Sequence, residues 1–285
     1  MTFKLGLYRL TSWLKHQLTA RHTGGHGVHS PYLFEWVRMV MSDKNTYYIW
    51  DEIEGIRHEL LKDTRELDFV DFGSGKLKGE NGERRRVCDI AKGSLARRKD
   101  AQLLARLVGW LGRPLLTSSN GGMAGEVSED SKGLTIVELG TSLGVTTAYM
   151  AAMDSRNKVV SCEGCPAVAE VARENWDKLG LKNVECRVGE IDVVELCSDF
   201  PRLDVVFMDA NHTYDATLRY FDVLASHVHE KSVVVVDDIH YNAEMQKAWQ
   251  VICADERVTS TMDLYRMGLV FFDSHYWHRN YKMRV

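Results

Sequence analysis

The second half of the chain alternates short apolar runs with segments of helical length. The apolar runs cover residues 134–139, 158–163, 184–188, 203–209 and 232–238. The segments between them predict helices near 145–155, 166–179, 213–229 and 241–253. Continuous apolar strands separated by helices are typical of a parallel sheet that is covered on both faces. Residues 258–273 predict two further strands, one of them antiparallel at the sheet edge. The pattern predicts an α/β fold with a doubly wound, mostly parallel sheet.

The first 34 residues have a different character, because they contain no Asp or Glu. Apolar residues there fall on one helical face: Phe3, Leu7, Leu10, Trp13, Leu14 and Leu18. Basic residues accompany them: Lys4, Arg9, Lys15 and Arg21. A basic amphipathic helix can lie on a membrane surface. It can equally cover a hydrophobic face of its own domain or of a twin subunit in a homodimer, and packing of this kind is the favoured interpretation.

Composition shifts divide the chain into three parts. Residues 1–112 predict a mainly helical extension that serves as a lid, a substrate region or a dimer contact. Residues 113–133 are rich in Gly and Ser and predict an exposed linker, and residues 134–285 hold the alternating pattern. A glycine-rich DFGSG turn at 71–75 is interpreted as a loop, because the KLKGENGERRR that follows it cannot form an apolar helix behind a cofactor turn.

Composition narrows the class of protein. The 285 residues carry a net charge of −4, so no overall nucleic-acid footprint is visible. No apolar run reaches the roughly 18 residues of a membrane span. The six cysteines are scattered, and Cys162 with Cys165 lacks the second pair that a zinc site needs. Reduced thiols and a cytoplasmic location are therefore expected.

Three successive strand ends carry glycine or acid. VELGTSLG (137–144) is a strand followed by a turn with Gly140 and Gly144, which lets the backbone approach a ligand. Glu163 ends the next strand and suits ribose hydroxyls, and Gly189–Glu190 ends the third. Because the turn lacks the G-x-G-x-x-G spacing of a dinucleotide loop, the sequence predicts an adenosine site without a pyrophosphate.

These motifs, with the strand–helix rhythm of 134–273, resemble the class I S-adenosylmethionine-dependent methyltransferases. The resemblance implies a seven-stranded Rossmann-like sheet in residues 134–285 that binds S-adenosylmethionine. Glu138, Gly140 and Gly144 would flank the methionine part, Glu163 would hold the ribose and Glu190 the adenine. The full set of cofactor-binding residues that it implies is Glu138, Gly140, Thr141, Ser142, Gly144, Glu163, Gly189, Glu190 and Asp209.

Acids also end the fourth and fifth strands. Asp209 follows VVFM, and Asp237 and Asp238 follow SVVVV. Neighbouring parallel strands lie about 4.8 Å apart, so three carboxylates should converge and repel each other. A divalent cation would relieve the repulsion, with Mg²⁺ preferred and Mn²⁺ or Ca²⁺ as alternatives. The alternative is that Asp237 or Asp238 caps the next helix while the other acids are solvated.

His212 lies three residues beyond Asp209 and can take a proton near neutral pH. It is therefore a candidate general base, with Asp209 beside it in the catalytic site. The alternative is that His212 caps the following helix or packs against Tyr214.

The Asp-x-x-His and Asp-Asp pairs together resemble the metal-dependent sugar O-methyltransferases of macrolide biosynthesis, and more distantly catechol and caffeoyl-CoA O-methyltransferases. The resemblance implies Asp209, Asp237 and Asp238 as metal ligands and His212 as the base. A hydroxyl of a small molecule or glycan is then the expected acceptor. Nucleic acid is not expected, because Asp-Ala-Asn-His replaces the Asn/Asp-Pro-Pro-aromatic turn of base methyltransferases. Metal-independent methyl transfer, a nicotinamide-dependent oxidoreductase and a non-catalytic module stay open.

Overall fold

The computed structural model describes residues 3–70, 83–113, 133–275 and 278–284. Within these residues the strands form one eight-stranded sheet and one separate antiparallel pair. The pair, called here the β1–β2 ribbon, consists of β1 (Glu66–Phe69) and β2 (Glu83–Arg86). The large sheet consists of β3 (Thr135–Leu139), β4 (Lys158–Glu163), β5 (Val184–Val188), β6 (Leu203–Met208), β7 (Val228–Asp237), β8 (Ser260–Asp263), β9 (Met267–Phe271) and β10 (Arg279–Lys282).

Helices precede the sheet and alternate with its strands. Those before the sheet are α1 (Phe3–Thr19), α2 (Pro31–Trp36), α3 (Tyr48–Leu60), α4 (Val87–Ser94) and α5 (Arg98–Leu111). Those between its strands are α6 (Val145–Ala151), α7 (Pro166–Lys178), α8 (Val193–Asp199), α9 (Tyr214–Leu224) and α10 (Ala243–Cys253). A short 3₁₀ turn covers Thr23–Gly25, and a π-helical turn, Val37–Met41, continues α2. No helix in the described ranges is both long enough and apolar enough to cross a bilayer.

The sheet order is β10-β8-β9-β7-β6-β3-β4-β5, and β3 to β7 are mutually parallel. The seven predicted strands all form, so the predicted mostly parallel sheet is confirmed. The prediction that the antiparallel strand lies at the edge is wrong, because β9 lies between β7 and β8. An eighth strand, β10, extends the sheet beyond β8 and runs parallel to it. Its short, polar sequence, RNYK, gave no apolar signal.

Alternate residues of each strand feed two different layers of core. On β6, Val205 and Phe207 pack in the cluster that holds Leu104 of α5 and Trp36 of α2. Val206 packs on the opposite face, in the cluster of α9 and α10. The helical extension therefore shares a hydrophobic core with the sheet. Most of the predicted linker and the whole DFGSG turn lie outside the described residues.

Helix α1 contacts the sheet domain through its polar side. Tyr8 Oη donates to Gln246 Oε1 at 2.7 Å, and His16 Nε2 lies 3.1 Å from Asp263 Oδ1. Leu10 and Leu18 on the opposite side are exposed. The expectation that the apolar face of this helix covers its own domain is therefore wrong for the described chain.

Glu138 is a buried acid at the centre of the sheet. Its side chain is 0% exposed, and Oε2 accepts hydrogen bonds from the hydroxyls of Thr147 and Ser161. Its other oxygen has no hydrogen-bond partner among the described residues. Burial raises the pKa of Glu138 to about 8, against the opposing effect of the two hydroxyls. The folded protein therefore holds a proton on Glu138 at neutral pH.

Substitution of Glu138 by Gln should remove a pH dependence of stability. The unfolded chain loses this proton near pH 4.5 and the folded chain near pH 8, so rising pH destabilises the wild type between these values. The slope is at most about 1.4 kcal/mol per pH unit for one group. In urea unfolding of both proteins, the free energy of unfolding of Glu138→Gln should rise relative to that of the wild type from pH 5 to pH 8. A difference that stays constant with pH would contradict a buried, protonated Glu138.

Gly268 on β9 leaves room for the indole of Trp249. A Cβ at this position would lie 2.4 Å from Trp249 Cη2, and that side chain is buried. Gly268→Ala should therefore reduce the free energy of unfolding by about 1–3 kcal/mol. Gly55→Ala is the matched control, because a Cβ at Gly55 in α3 would have open space around it. Alanine at this helical position should raise the free energy of unfolding by about 0.5–1 kcal/mol. Equal effects of the two substitutions in urea unfolding would refute this packing.

Candidate active site

A cavity of about 980 Å³ opens at the carboxyl edge of the parallel strands. Because β3 to β7 run in the same direction, their ends meet at this edge, where ligands bind in open α/β sheets. The residues that line it at the ends of the strands and in the turns after them include Gly140, Ser142, Glu163, Gly189, Glu190, Asp209, His212, Asp237 and Asp238. The β1–β2 ribbon and the end of α4 form the facing wall.

The turn after β3 requires glycine at its first position. Gly140 has a φ of 101°, and a Cβ there would lie 2.2 Å from the carbonyl oxygen of Asp209. The same turn contacts the end of β4, where the backbone N–H of Ser142 donates to Glu163 Oε2 at 2.7 Å. The turn therefore fixes both the end of β6 and the carboxylate at the end of β4.

Three of the predicted cofactor residues lie behind the cavity wall and do not line it: Glu138, Thr141 and Gly144. Thr141 is buried and its hydroxyl bonds to that of Ser161 at 2.5 Å. Gly144 has a φ of 76° and faces Trp176, whose indole N–H donates to the Gly144 carbonyl at 2.8 Å. These residues support the turn from behind, and their direct contact with a cofactor stays a prediction.

Glu163, the acid that ends β4, is held in one orientation by backbone hydrogen bonds. Glu163 accepts backbone hydrogen bonds from Ser142 and, at 2.9 Å, from Cys165. Burial raises the pKa of Glu163, although these backbone donors act in the opposite direction. Gly189 follows on β5 with a φ of 126° and open space where a Cβ would point, and Glu190 beside it is exposed at the cavity.

Asp209 and Asp237 meet at the tips of adjacent strands β6 and β7. The Asp237 carboxyl lies close enough to Asp209 to lower the pKa of Asp209 by hydrogen bonding. Burial raises the pKa of Asp237 well above its usual range, and the charges of Asp209 and Asp238 add to the effect. Burial also raises the pKa of Asp209, against the contact with His212. Neither Asp237 nor Asp238 caps α10, because the side chain of Asn242 accepts from Met245 N there. The capping alternative is therefore wrong.

The three acids form a chemically suitable donor set for a hard divalent cation, since all offer carboxylate oxygens. Their positions are less compact than a bound ion requires. Among the described residues, no set that contains Asp209, Asp237 and Asp238 has its ligand atoms within 4.8 Å of one another. The donor types thus fit such an ion, whereas their spacing does not.

His212 lies against Asp209, with 3.3 Å between Nε2 and Oδ1. This is an ion-pair distance without the alignment of a hydrogen bond. Burial by itself lowers the pKa of His212, but the carboxylates of Asp209 and Asp238 outweigh it and raise the pKa. The ring packs on Tyr241 at 5.9 Å between centroids. Helix α9 begins at Tyr214, and its N-cap residue, Thr213, makes no side-chain capping hydrogen bond. No capping bond or Tyr214 ring contact of His212 is found among the described residues, so neither alternative for His212 is supported.

Backbone strain is concentrated at this site. Within the described ranges, the non-glycine residues with positive φ are Ser142, Asn211, Asp238 and Tyr265. The first three line the cavity. Such conformations cost about 1–3 kcal/mol each and persist where the surrounding structure enforces them. The surrounding structure therefore holds the turns that carry the predicted acids and the imidazole in backbone conformations that these residues do not favour by themselves.

Several cavity residues were not predicted from the sequence. Arg266, in the turn between β8 and β9, lines the cavity with Nε 3.2 Å from Asp100 Oδ2. Arg97 binds the same carboxylate at 2.7 Å. Ser94, at the end of α4, bonds to Ser142 at 2.6 Å. A sequence-based prediction that β9 pairs with β7 would have placed Arg266 near the cavity. Ser94 and Asp100 come close to the site only because the helical extension packs against the sheet.

Comparison with known proteins identifies the segment that holds most of this site. Residues 137–239 match a family model described as a methyltransferase domain. A stretch of 58 residues, 20% of the chain, is 40% identical to protein-L-isoaspartate O-methyltransferase of Magnetococcus marinus. The match spans 25% of that relative's length.

Solved structures are similar over most of the chain. An O-methyltransferase from Bacillus cereus, in complex with S-adenosylhomocysteine, aligns with a TM-score of 0.50 and 16% identity over 84% of this chain and 97% of that one. TomG from Streptomyces achromogenes, an O-methyltransferase of tomaymycin synthesis in complex with S-adenosylmethionine, gives a TM-score of 0.50 and 15% identity over 84% and 98%. At these identities the likeness establishes the fold. Residues 137–239 therefore match a methyltransferase domain, and the chain has the fold of these O-methyltransferases, which agrees with the resemblance of its sequence to S-adenosylmethionine-dependent methyltransferases.

Proposed function

We propose that the protein transfers a methyl group from S-adenosylmethionine to a hydroxyl of a small molecule or sugar, with the assistance of a divalent cation. The observation that carries this proposal is the position of His212 and the Asp209–Asp237 pair. They line the same cavity as the glycine turn and Glu163. One end of the cavity thus has groups suited to adenosine, and the other has groups suited to proton removal.

The cofactor half of the proposal rests on Glu163. Its carboxylate already accepts from two backbone N–H groups, yet each oxygen has a further lone pair for a ribose hydroxyl. Open space in front of Gly189 suits an adenosine, and exposed Glu190 suits the adenine amino group. The Bacillus and Streptomyces proteins of the same fold hold S-adenosylhomocysteine and S-adenosylmethionine, which supports this class of cofactor.

The transfer half rests on the acids and the imidazole. We propose Asp209, Asp237 and Asp238 as ligands for Mg²⁺, or for Mn²⁺ or Ca²⁺. A cation at these carboxylates would acidify a bound hydroxyl and cancel the negative charge that raises the pKa of His212. The acceptor oxygen attacks the methyl carbon, the carbon–sulfur bond breaks with its electrons passing to sulfur, and His212 takes the hydroxyl proton. The products are the methyl ether and S-adenosylhomocysteine.

Metal-independent transfer is a second candidate. The spacing of the three acids, which do not reach a common point within 4.8 Å, favours it. In that case Asp237 and Asp238 would bind the acceptor directly. A nicotinamide-dependent activity is disfavoured by the turn at Gly140, which lacks the third glycine of a dinucleotide loop. A homodimer and a cytoplasmic location stay predictions.

Calorimetry with S-adenosylhomocysteine and with NAD tests the cofactor. We expect S-adenosylhomocysteine to bind, and Glu163→Gln to weaken its binding about 10- to 100-fold, because an amide offers one acceptor oxygen in place of two. Glu185→Gln on β5, outside the cavity lining, is the matched control and should leave the affinity unchanged. Binding of NAD alone, or equal affinity of Glu163→Gln and wild type, would reject the proposed adenosine site.

A comparison of Asp237→Asn with His212→Gln distinguishes the proposed metal ligand from the proposed base. Asp237→Asn should weaken Mn²⁺ binding about tenfold or more and abolish transfer. His212→Gln should keep Mn²⁺ affinity within a few-fold but lower transfer about 10²- to 10⁴-fold. Mn²⁺ binding is measured by calorimetry, and transfer by incubating methyl-labelled cofactor with a cell extract and identifying the labelled product.

Binding of S-adenosylhomocysteine by both variants serves as the control for folding. Transfer that survives EDTA but is lost in Asp237→Asn would reject the cation and support metal-independent transfer. Unchanged transfer by His212→Gln would remove the imidazole as the base.

A further inference from the structure

Helix α1 exposes a continuous apolar face, called here the α1 stripe. Its members and their exposed fractions are Leu7 (52%), Leu10 (54%), Trp13 (44%), Leu14 (47%) and Leu18 (82%). Leu7, Leu10, Leu14 and Leu18 recur every three or four residues and so lie on one side of the helix, with Trp13 three residues after Leu10 at its border. A surface helix normally turns such a side towards the core. Here this arrangement is reversed.

The polar side of α1 fixes this orientation. Tyr8 and His16 contact Gln246 and Asp263 as described above, and the hydroxyl of Tyr265 donates to the Arg9 carbonyl at 2.8 Å. The Arg9 guanidinium also lies 3.9 Å from the centre of the Tyr241 ring. Turning the stripe inwards would break all of these contacts. The stripe is therefore a stable surface of the described protein.

Exposed cations lie on α1 and near its C-terminal end. Lys15 lies at its border and Arg21 follows the helix, and both are exposed. Arg284 is exposed and donates to the carbonyl of Gln17, and Lys282 is exposed on the neighbouring strand β10. The first acid of the chain is Glu35. Two α1 helices of separate copies would bring like charges together, whereas anionic lipid headgroups complement them.

We propose that α1 is a peripheral docking helix for an anionic membrane surface. The helix lies in the plane of the interface, with the α1 stripe in the boundary between headgroups and acyl chains. Lys15, Arg21, Lys282 and Arg284 contact the anionic headgroups. The proposal does not depend on the chemistry of the cavity, because no residue of the α1 stripe lines it.

Vesicle sedimentation of the full chain tests the proposal. One set of vesicles is phosphatidylcholine alone, and the other contains about one third phosphatidylserine. The test variant is Leu10→Gln with Leu14→Gln, and both positions are exposed, so folding should be kept. The matched control is Val194→Gln with Val251→Gln, which removes two exposed apolar side chains, 61% and 45% exposed, from other helices.

We expect the wild type to bind anionic vesicles at least about tenfold more strongly than neutral ones, and to be released as salt is raised. The Leu10/Leu14 variant should lose at least about tenfold of this binding while the control keeps it. Lys15→Gln with Lys282→Gln should weaken binding and its salt dependence together. The proposal is overturned if the wild type stays in solution, or if the Leu10/Leu14 variant binds as the wild type does. A wild-type dimer in light scattering that this variant dissociates, without vesicle binding, would assign the stripe to a second copy.

Discussion

The close approach of β3 and β6 at their carboxyl ends holds the two halves of the site together. Asp209 N donates to the Leu139 carbonyl at 2.8 Å, and the Asp209 carbonyl occupies the space that a Cβ of Gly140 would need. The glycine turn that we propose for the cofactor and the acid that we propose for the transfer chemistry are thus positioned by the same contact between the two backbones. Any side chain at Gly140 would separate the strands and change the distance between the two groups at once.

Unfavourable charge burial is the second constraint on this edge of the sheet. Glu138, Asp209 and Asp237 all have raised pKa values because burial disfavours their charged forms. Glu138 is supported by the hydroxyls of Thr147 and Ser161. Against the effect of burial, His212 lowers the pKa of Asp209, and the Asp238 backbone together with the charge of Arg266 lowers the pKa of Asp237. The interior of the sheet therefore supplies hydrogen-bond donors to its own acid, whereas the strand-tip acids lie together at the cavity.

Local pattern predicted most of the sheet, because apolar runs of strand length report burial on both faces. The convergence of Asp209 and Asp237 was predictable for the same reason, since it depends only on strand order and direction. Gly144 and Glu138 were predicted to touch the cofactor, but their positions depend on Trp176 and Ser161, which come from α7 and β4. The orientation of α1 was not predictable, because spacing defines an apolar face without saying whether it points inwards.

The reversed orientation of α1 has a thermodynamic consequence. Denaturant sensitivity and the heat capacity of unfolding both scale with the apolar surface that becomes exposed. The leucines of this helix already contact water in the folded chain, so its detachment would expose little new apolar area. The helix is attached through hydrogen bonds and a buried imidazole–carboxylate pair, and these contribute enthalpy with a small heat-capacity change. Local melting of α1 would therefore absorb heat while changing the heat capacity and the denaturant sensitivity little.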